Sequence, residues 1–143
     1  MAVLVQRPGE LRNAKWDEFD LVQQIWSIPG ERMKMRRSHR VPLPDQAIDL
    51  IRALQTVSGQ SVFLFPSLRS LHRPMSENTL NAALRRLGYS GQEMTAHGFR
   101  ATVSTLANES GLWNPDAIER QLAHVDNNAV RRAYDRGEHW EER

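Results

Sequence analysis

The spacing of apolar positions changes near Pro44. Before it, apolar residues fall in short runs between charged and turn-forming stretches. Val3, Leu4 and Val5 read as the tail of an apolar element. Pro8 suits the first turn of a helix and Glu10 favours that turn electrostatically, which predicts a short helix through about Asn13. Residues 16–19 and 24–28 carry β-forming side chains, and residues 20–23 between them can turn, so a hairpin is expected. Pro29 and Gly30 break the pattern, and a polar, basic run follows from Glu31 to Arg40. Residues 40–43 alternate and form a third strand, placed at an edge because Pro42 has no N–H for a ladder. The prediction is a three-stranded antiparallel sheet with Lys34 in the loop between its second and third strands.

After Pro44 the period becomes helical. Ala47, Ile48, Ile51 and Leu54 form one stripe over residues 45–56, and residues 58–60 end that helix. Residues 62–65 are a short apolar run, and 66–74 read as loop. Ser76 can cap a helix through Leu87, with Leu80, Ala83, Leu84 and Leu87 inward, Arg85 and Arg86 on the exposed side, and Gly88 as the stop. The next helix begins near His97 and ends at Gly111. Phe99, Val103, Leu106 and Ala107 recur at helical spacing and are expected to face a core, while His97 and Arg100 share one face and point outward together. Asn114, Pro115 and Asp116 open a further helix with Ile118, Leu122 and Val125 inward. Residues 126–128 break it, 129–134 form a last short helix, and a polar tail follows Gly137. The fold class is α+β and mostly helical: a small three-stranded antiparallel sheet near the N-terminus, then a helical bundle, in one domain over residues 1–143. No repeats or low-complexity linkers interrupt it.

Composition narrows the function. The chain has 143 residues, 40% of them hydrophobic and 25% charged, ordinary for a globular domain with one core. No apolar run approaches membrane-spanning length, and no signal peptide is visible. Cysteine is absent, which excludes disulfides, thiolate metal sites and a cysteine nucleophile and fits a cytoplasmic protein. The net charge is only +2, too little for a purely electrostatic coat on nucleic acid but compatible with a local basic surface. Lys15 and Lys34 are the lysines; every other basic residue is Arg, the side chain suited to bidentate phosphate contacts, although an arginine-rich genome gives the same bias.

Six polar residues stand at element ends: Arg7, Lys34, His97, Arg100, His124 and Tyr134. Together they make a phosphoryl-transfer set. Two Arg neutralise the non-bridging oxygens of a phosphodiester. Tyr is an oxygen nucleophile that gives a covalent intermediate, and Lys or His protonates a departing alkoxide. Acids at metal-ligand spacing are missing from the pattern, which disfavours a two-metal nuclease; neither metal nor cofactor is expected. Each residue also has a plainer reading. Arg7 pairs with Glu10 at helix spacing, Lys34 competes with Arg32, Arg36 and Arg37 as one of several solvated loop charges, His124 is a buried His at a helix end, and Tyr134 is an ordinary amphipathic anchor. Tyr89 is the weaker nucleophile because it follows Gly88 in a loop, and His39, His72 and His139 receive no role.

The ordered strings Arg7-Pro8-Gly9-Glu10-Leu11, Glu31-Arg32-Met33-Lys34 with Val41-Pro42-Leu43, Thr95-Ala96-His97-Gly98-Phe99-Arg100, Gln121-Leu122-Ala123-His124 and Ala133-Tyr134 resemble the catalytic domain of the tyrosine recombinases, specifically the integrases of phages and genomic islands. The resemblance covers nearly the whole chain. It implies that Arg7 and Arg100 clamp the scissile phosphate, supported by Glu10. Lys34 would donate a proton to the 5′ hydroxyl leaving group, His97 would assist proton transfer, and His124 would hydrogen-bond a phosphate oxygen. Tyr134 would attack to give a 3′-phosphotyrosyl link. Arg36, Arg37, Arg85, Arg86, Arg131 and Arg132 would meet the DNA backbone. The implied substrate is double-stranded DNA at attachment sites, the implied assembly a tetramer on DNA, and the implied location the bacterial cytoplasm at the nucleoid. Without the family's amino-terminal DNA-binding domains and with little chain after Tyr134, residues 1–143 are expected to behave as a monomeric catalytic fragment. Two other readings stay open: a silent module that grips DNA backbone, and a type IB topoisomerase-like enzyme. Arg7 and Arg100 are expected to converge beside His97 and His124, and the Lys34 loop is expected to be mobile because it has few apolar anchors.

Overall fold

A computed structural model describes residues 3–124, 139, 140 and 143. Helix α1 spans Pro8–Arg12, with Pro8 at its first position and the Glu10 carboxylate reaching back to the Arg7 N–H at 3.0 Å. A 3-10 turn, Trp16–Glu18, leads into strand β1, Phe19–Asp20. Strands β2, Ile25–Ile28, and β3, His39–Pro42, complete an antiparallel sheet in the order β1-β2-β3. Trp26 stands opposite Phe19 and Val41, and Ile28 opposite His39. Period-two alternation sends Trp26 and Ile28 inward with His39 and Val41. The Phe19 and Trp26 rings stack at 5.1 Å.

Helix α2, Asp45–Ser58, lays Ala47, Ile48 and Ile51 on that buried sheet face, as its stripe predicts. The apolar run after it zips onto the chain beside α1: the Leu64 N–H donates to the Ala14 carbonyl at 2.8 Å and the Trp16 N–H to the Val62 carbonyl at 3.1 Å. The core thus joins sheet, α1, α2 and Leu64. Strands β4, Pro66–Ser67, and β5, Ser70–Pro74, then form a small hairpin. Helix α3 is Thr79–Arg86, α4 is Gly98–Ser110 and α5 is Pro115–Gln121. Gly111 closes α4 at φ 63°, a left-handed conformation that glycine adopts without penalty. The Asn114 side chain caps α5 through the Asp116 N–H, as expected.

The structure corrects several expectations. Residues 16–18 curl instead of pairing, because the buried Glu18 carboxylate accepts from the Lys15 N–H at 3.3 Å and from Trp26 Nε1 at 3.0 Å. Residues 66–74 are a hairpin where loop was expected. On α3 only Leu84 is buried; Ala83 is exposed and Leu87 lies beyond the helix at 74% exposure. The helix begins at Thr79, where the Thr79 and Ser76 hydroxyls meet at 2.9 Å. On α4 the expected apolar stripe is only half covered, and Leu106 is 60% exposed. Val103 and Ala107 line a groove with Trp113, Ala117 and Ile118 instead of filling a core. The expected last helix and Val125 lie outside the described residues.

Candidate active site

The chain just before α1 runs between α4 and the end of α5. Gln6 Nε2 donates to the Gln121 carbonyl at 2.8 Å. Val5 holds a φ of 58° and Ala123 a φ of 48°, conformations that cost free energy in residues with a Cβ and that concentrate at functional sites. These two residues bracket the place where the predicted side chains meet.

Arg7 caps α1. Its guanidinium lies 2.7 Å from the buried Glu10 carboxylate and donates to the Ala123 carbonyl at 3.4 Å. Arg100 sits in the first turn of α4. Its guanidinium donates to the Val5 carbonyl at 3.0 Å and to the Leu122 carbonyl. Two guanidiniums far apart in sequence therefore arrive at adjacent carbonyls, those left without an intrahelical partner past the end of α5. Burial first, and the Arg7 charge second, draw the Arg100 pKa down to about 10, with Glu10 and Glu119 opposing; it stays a cation at neutral pH.

Arg100 does not point outward with His97. It is the one buried side chain of α4, whereas His97 is exposed at the helix start, accepting the Arg100 and Ala101 N–H groups through its carbonyl. Buried carbonyls need donors, and Arg supplies several from one side chain, which outweighs the helical-face argument. Among the described residues no hydrogen bond joins the His97 ring to the two guanidiniums. His124 follows Ala123 directly, and Glu119 holds its Nδ1 at 2.8 Å.

Lys34 is exposed, and its loop is better anchored than its composition suggests. Met33 is buried in the core, and the Arg36 N–H donates to the Met33 carbonyl at 2.9 Å. Arg32 is not a solvated loop charge: it pairs with buried Glu18 and donates to the Glu10 carbonyl at 2.6 Å. Arg36 and Arg37 are exposed. Arg86 is exposed, but Arg85 turns back to the Met94 carbonyl and braces the loop before α4. Tyr134, Arg131 and Arg132 lie outside the described residues.

His39, given no role from the sequence, is buried on β3 at the rim of this site. Burial, then the charge of Arg143, then Arg100, lower its pKa to about 4 against opposing effects of the Gln121 backbone and Glu10. Its Nε2 has no partner among the described residues. The signal was available: two residues before inward Val41, a strand's alternation puts His39 inward too. Beyond Tyr134, the Trp140 ring lies 4.9 Å from the Arg40 guanidinium, and Arg143 Nε donates to Gln121 Oε1 at 3.2 Å. Among the described residues no group of three or more His, Asp or Glu could hold a metal ion, and no helix is long and apolar enough to cross a membrane.

The sequence profile described as the phage integrase family matches residues 1–139. The chain belongs to that family. Prophage integrase IntA of Escherichia coli K12 is 46% identical over 139 residues, covering 97% of this chain and 33% of IntA. The integrase of Enterobacteria phage P4 is 45% identical over 151 residues, covering 96% of this chain and 34% of its own. The chain thus spans about a third of the length of the curated relatives it matches. Among solved structures, the XerA recombinase superposes with a TM-score of 0.70 at 20% identity, over 93% of this chain and 52% of that one. The catalytic core of lambda integrase gives 0.62 at 18% identity, over 90% and 77%. These likenesses establish the fold: this phage integrase family chain has the architecture of a tyrosine recombinase catalytic domain.

Proposed function

We propose that the chain cleaves and rejoins double-stranded DNA through a 3′-phosphotyrosine, the chemistry of site-specific recombination that integrates a phage or genomic island. The observation that carries this reading is the convergence of Arg7 and Arg100 on neighbouring carbonyls at the end of α5, with His124 the next residue. Paired, preorganised guanidiniums stabilise charge growing on the non-bridging oxygens of a phosphodiester, and a partly buried site strengthens that effect. Glu10 fixes Arg7 by two hydrogen bonds and so keeps the clamp in shape between turnovers.

In the reaction, the Tyr134 oxygen attacks phosphorus and forms a P–O bond as the bond from phosphorus to the 5′ oxygen breaks. Lys34 supplies a proton to the leaving 5′ oxygen, and His97 assists in removing the tyrosine proton. His124 donates to a phosphate oxygen. The covalent link keeps the phosphodiester energy, so a 5′ hydroxyl attacking the phosphotyrosine reverses the step. Exposed Lys34, Arg36, Arg37 and Arg86, with Arg131 and Arg132, meet the DNA backbone. The names of the relatives, integrases of a prophage and a phage, support this function. A transposon integrase of the same fold was solved in complex with transposon end DNA, at a TM-score of 0.72 and 14% identity over 87% of this chain and 49% of its own. The finer picture is a protein that is monomeric alone, assembles as a tetramer on attachment-site DNA, and works in the bacterial cytoplasm at the nucleoid.

A nicked suicide substrate tests the proposal. Its cleavage releases a short strand, so religation fails and a covalent protein–DNA adduct accumulates. Tyr134→Phe keeps the ring and removes the nucleophilic oxygen; the adduct should vanish while DNA binding changes little. An adduct that persists in Tyr134→Phe overturns the assignment. Binding with no adduct from the unsubstituted protein favours a silent DNA-binding module.

A further inference from the structure

The residues between β2 and Lys34 contain a fixed point. After β2, Gly30–Arg32 makes a 3-10 turn, tight enough that a Cβ on Gly30 would lie 2.8 Å from the Arg36 carbonyl oxygen. The Arg32 side chain leaves this turn inward and is 17% exposed. One end of its guanidinium pairs with Glu18, whose side chain is 6% exposed. The other Nη donates to the Glu10 carbonyl at 2.6 Å. Glu18 is itself held by Trp26 Nε1, from a tryptophan with no exposed surface. Glu10 is the residue whose carboxylate holds Arg7. One guanidinium thus joins the sheet, the helix of the phosphate clamp and the loop of Lys34.

Stability alone is a poor account of this arrangement. Withdrawing an Arg and a Glu from water costs several kcal/mol per ion, and well-packed apolar residues often do as well or better. What the pair supplies is geometry, because the planar fork fixes both partners at once. Next in sequence, Met33 is buried, so the backbone is pinned up to the residue before Lys34. A general acid must meet its oxygen within hydrogen-bond reach, and small misplacements are costly.

We propose that Arg32 is a positioning residue for Lys34: it registers the Lys34 loop on α1, so that the ammonium reaches the leaving oxygen of a phosphate held by Arg7. It acts through Lys34 and not on the phosphate, since both ends of its guanidinium are committed to Glu18 and Glu10. This rests on the reading of Lys34 as proton donor.

The test compares single-turnover cleavage of two suicide substrates, one with the natural 5′ oxygen at the scissile bond and one with a bridging 5′ sulfur. The sulfur departs as a thiolate and needs no proton. The variant is Arg32→Met combined with Glu18→Gln, which removes the fork without leaving a buried carboxylate unpaired. On the oxygen substrate it should cleave about 100-fold slower, while its DNA affinity stays within about threefold, as expected when a general acid is displaced. On the sulfur substrate its rate should return to within about threefold of the unsubstituted protein. A loss equal on both substrates, or no loss on either, overturns the positioning role. Lys34→Ala runs alongside. Normal cleavage of the oxygen substrate by Lys34→Ala, or a defect that sulfur does not repair, overturns the Lys34 assignment and the Arg32 proposal with it. Repair of Lys34→Ala but not of the Arg32 variant overturns the Arg32 proposal alone. If the double variant loses its cooperative thermal melt, Arg32→Lys, which keeps the charge and loses the fork, carries the same comparison.

Discussion

His39 makes the stability of this domain depend on pH in a calculable way. It is 8% exposed on β3, and Arg143 on the tail, Arg100 on α4, Glu10 on α1 and the Gln121 backbone on α5 all act on its charge. Its folded pKa is about 4 against an ordinary 6.5. Above pH 6.5 the imidazole is neutral in both the folded and the unfolded chain and contributes no slope. As pH falls below 6.5, the unfolded chain takes up a proton that the folded one refuses, so stability declines. The decline stops near pH 4, where both forms are protonated. At 1.36 kcal/mol per unit, the window from 6.5 to about 4 is worth about 3 kcal/mol, and about 2 kcal/mol of it is gone by pH 5. Urea denaturation at pH 7.5 and pH 5 reads this directly, as a midpoint lower by about 1 M in acid for a domain of this size. His39→Gln keeps a polar side chain of similar size without the titration. Most of the acid loss should disappear in the variant, whatever its stability at pH 7.5. An equal loss in both proteins would place the acid sensitivity elsewhere and refute the assignment.

Two further expectations follow from the proposed clamp and its surface. Arg100→Lys keeps the charge but cannot bridge the carbonyls of Val5 and Leu122. The variant should lose roughly 1–3 kcal/mol of stability in thermal melts and at least about 100-fold in adduct formation; retention of both activity and stability would remove Arg100 from the clamp. If Lys34, Arg36, Arg37 and Arg86 each neutralise one phosphate, DNA affinity should fall roughly 100-fold between about 50 and 200 mM salt in fluorescence anisotropy titrations; a flat response would deny that these exposed cations meet the backbone.

Periodic features were legible in the sequence. The sheet and the α2 stripe follow from alternation at two residues and from recurrence at three and four. The caps of α1 and α5 follow from Pro8, Glu10, Asn114 and Pro115. What escaped lacks a period. The 3-10 turn at Trp16–Glu18 exists because Glu18 is buried and bonded to Trp26, a tertiary fact that no window around residue 16 contains. The β4–β5 hairpin is two short strands of Pro, Ser, Leu, His and Arg, without alternation to mark them. For the site, order along the chain named Arg7 and Arg100, but pattern reasoning sends an Arg to solvent by default. It therefore misplaced Arg100 and treated Arg32 and Arg85 as surface charges. All three go inward to backbone carbonyls, those of Leu122, Glu10 and Met94, which are left by the ends of helices or by loops and need donors, and Arg32 pairs with the buried Glu18 carboxylate as well.

That shared use of Arg on backbone carbonyls bears on how the proposed clamp would work. Two guanidiniums held together beside one buried carboxylate leave a local excess of positive charge. The protein tolerates it because carbonyl dipoles at the end of α5 face the cations. The tolerance is incomplete, since Arg7 helps draw the Arg100 pKa down. Yet each guanidinium carries more N–H donors than these bonds use. The carbonyl bonds set position, and in the proposed reaction an arriving phosphodiester would relieve the residual positive charge. The arginine pair is therefore organised without substrate, as the proposed clamp requires, and the strained conformations of Val5 and Ala123 belong to its construction because they turn the chain where the Val5, Leu122 and Ala123 carbonyls meet the two arginines.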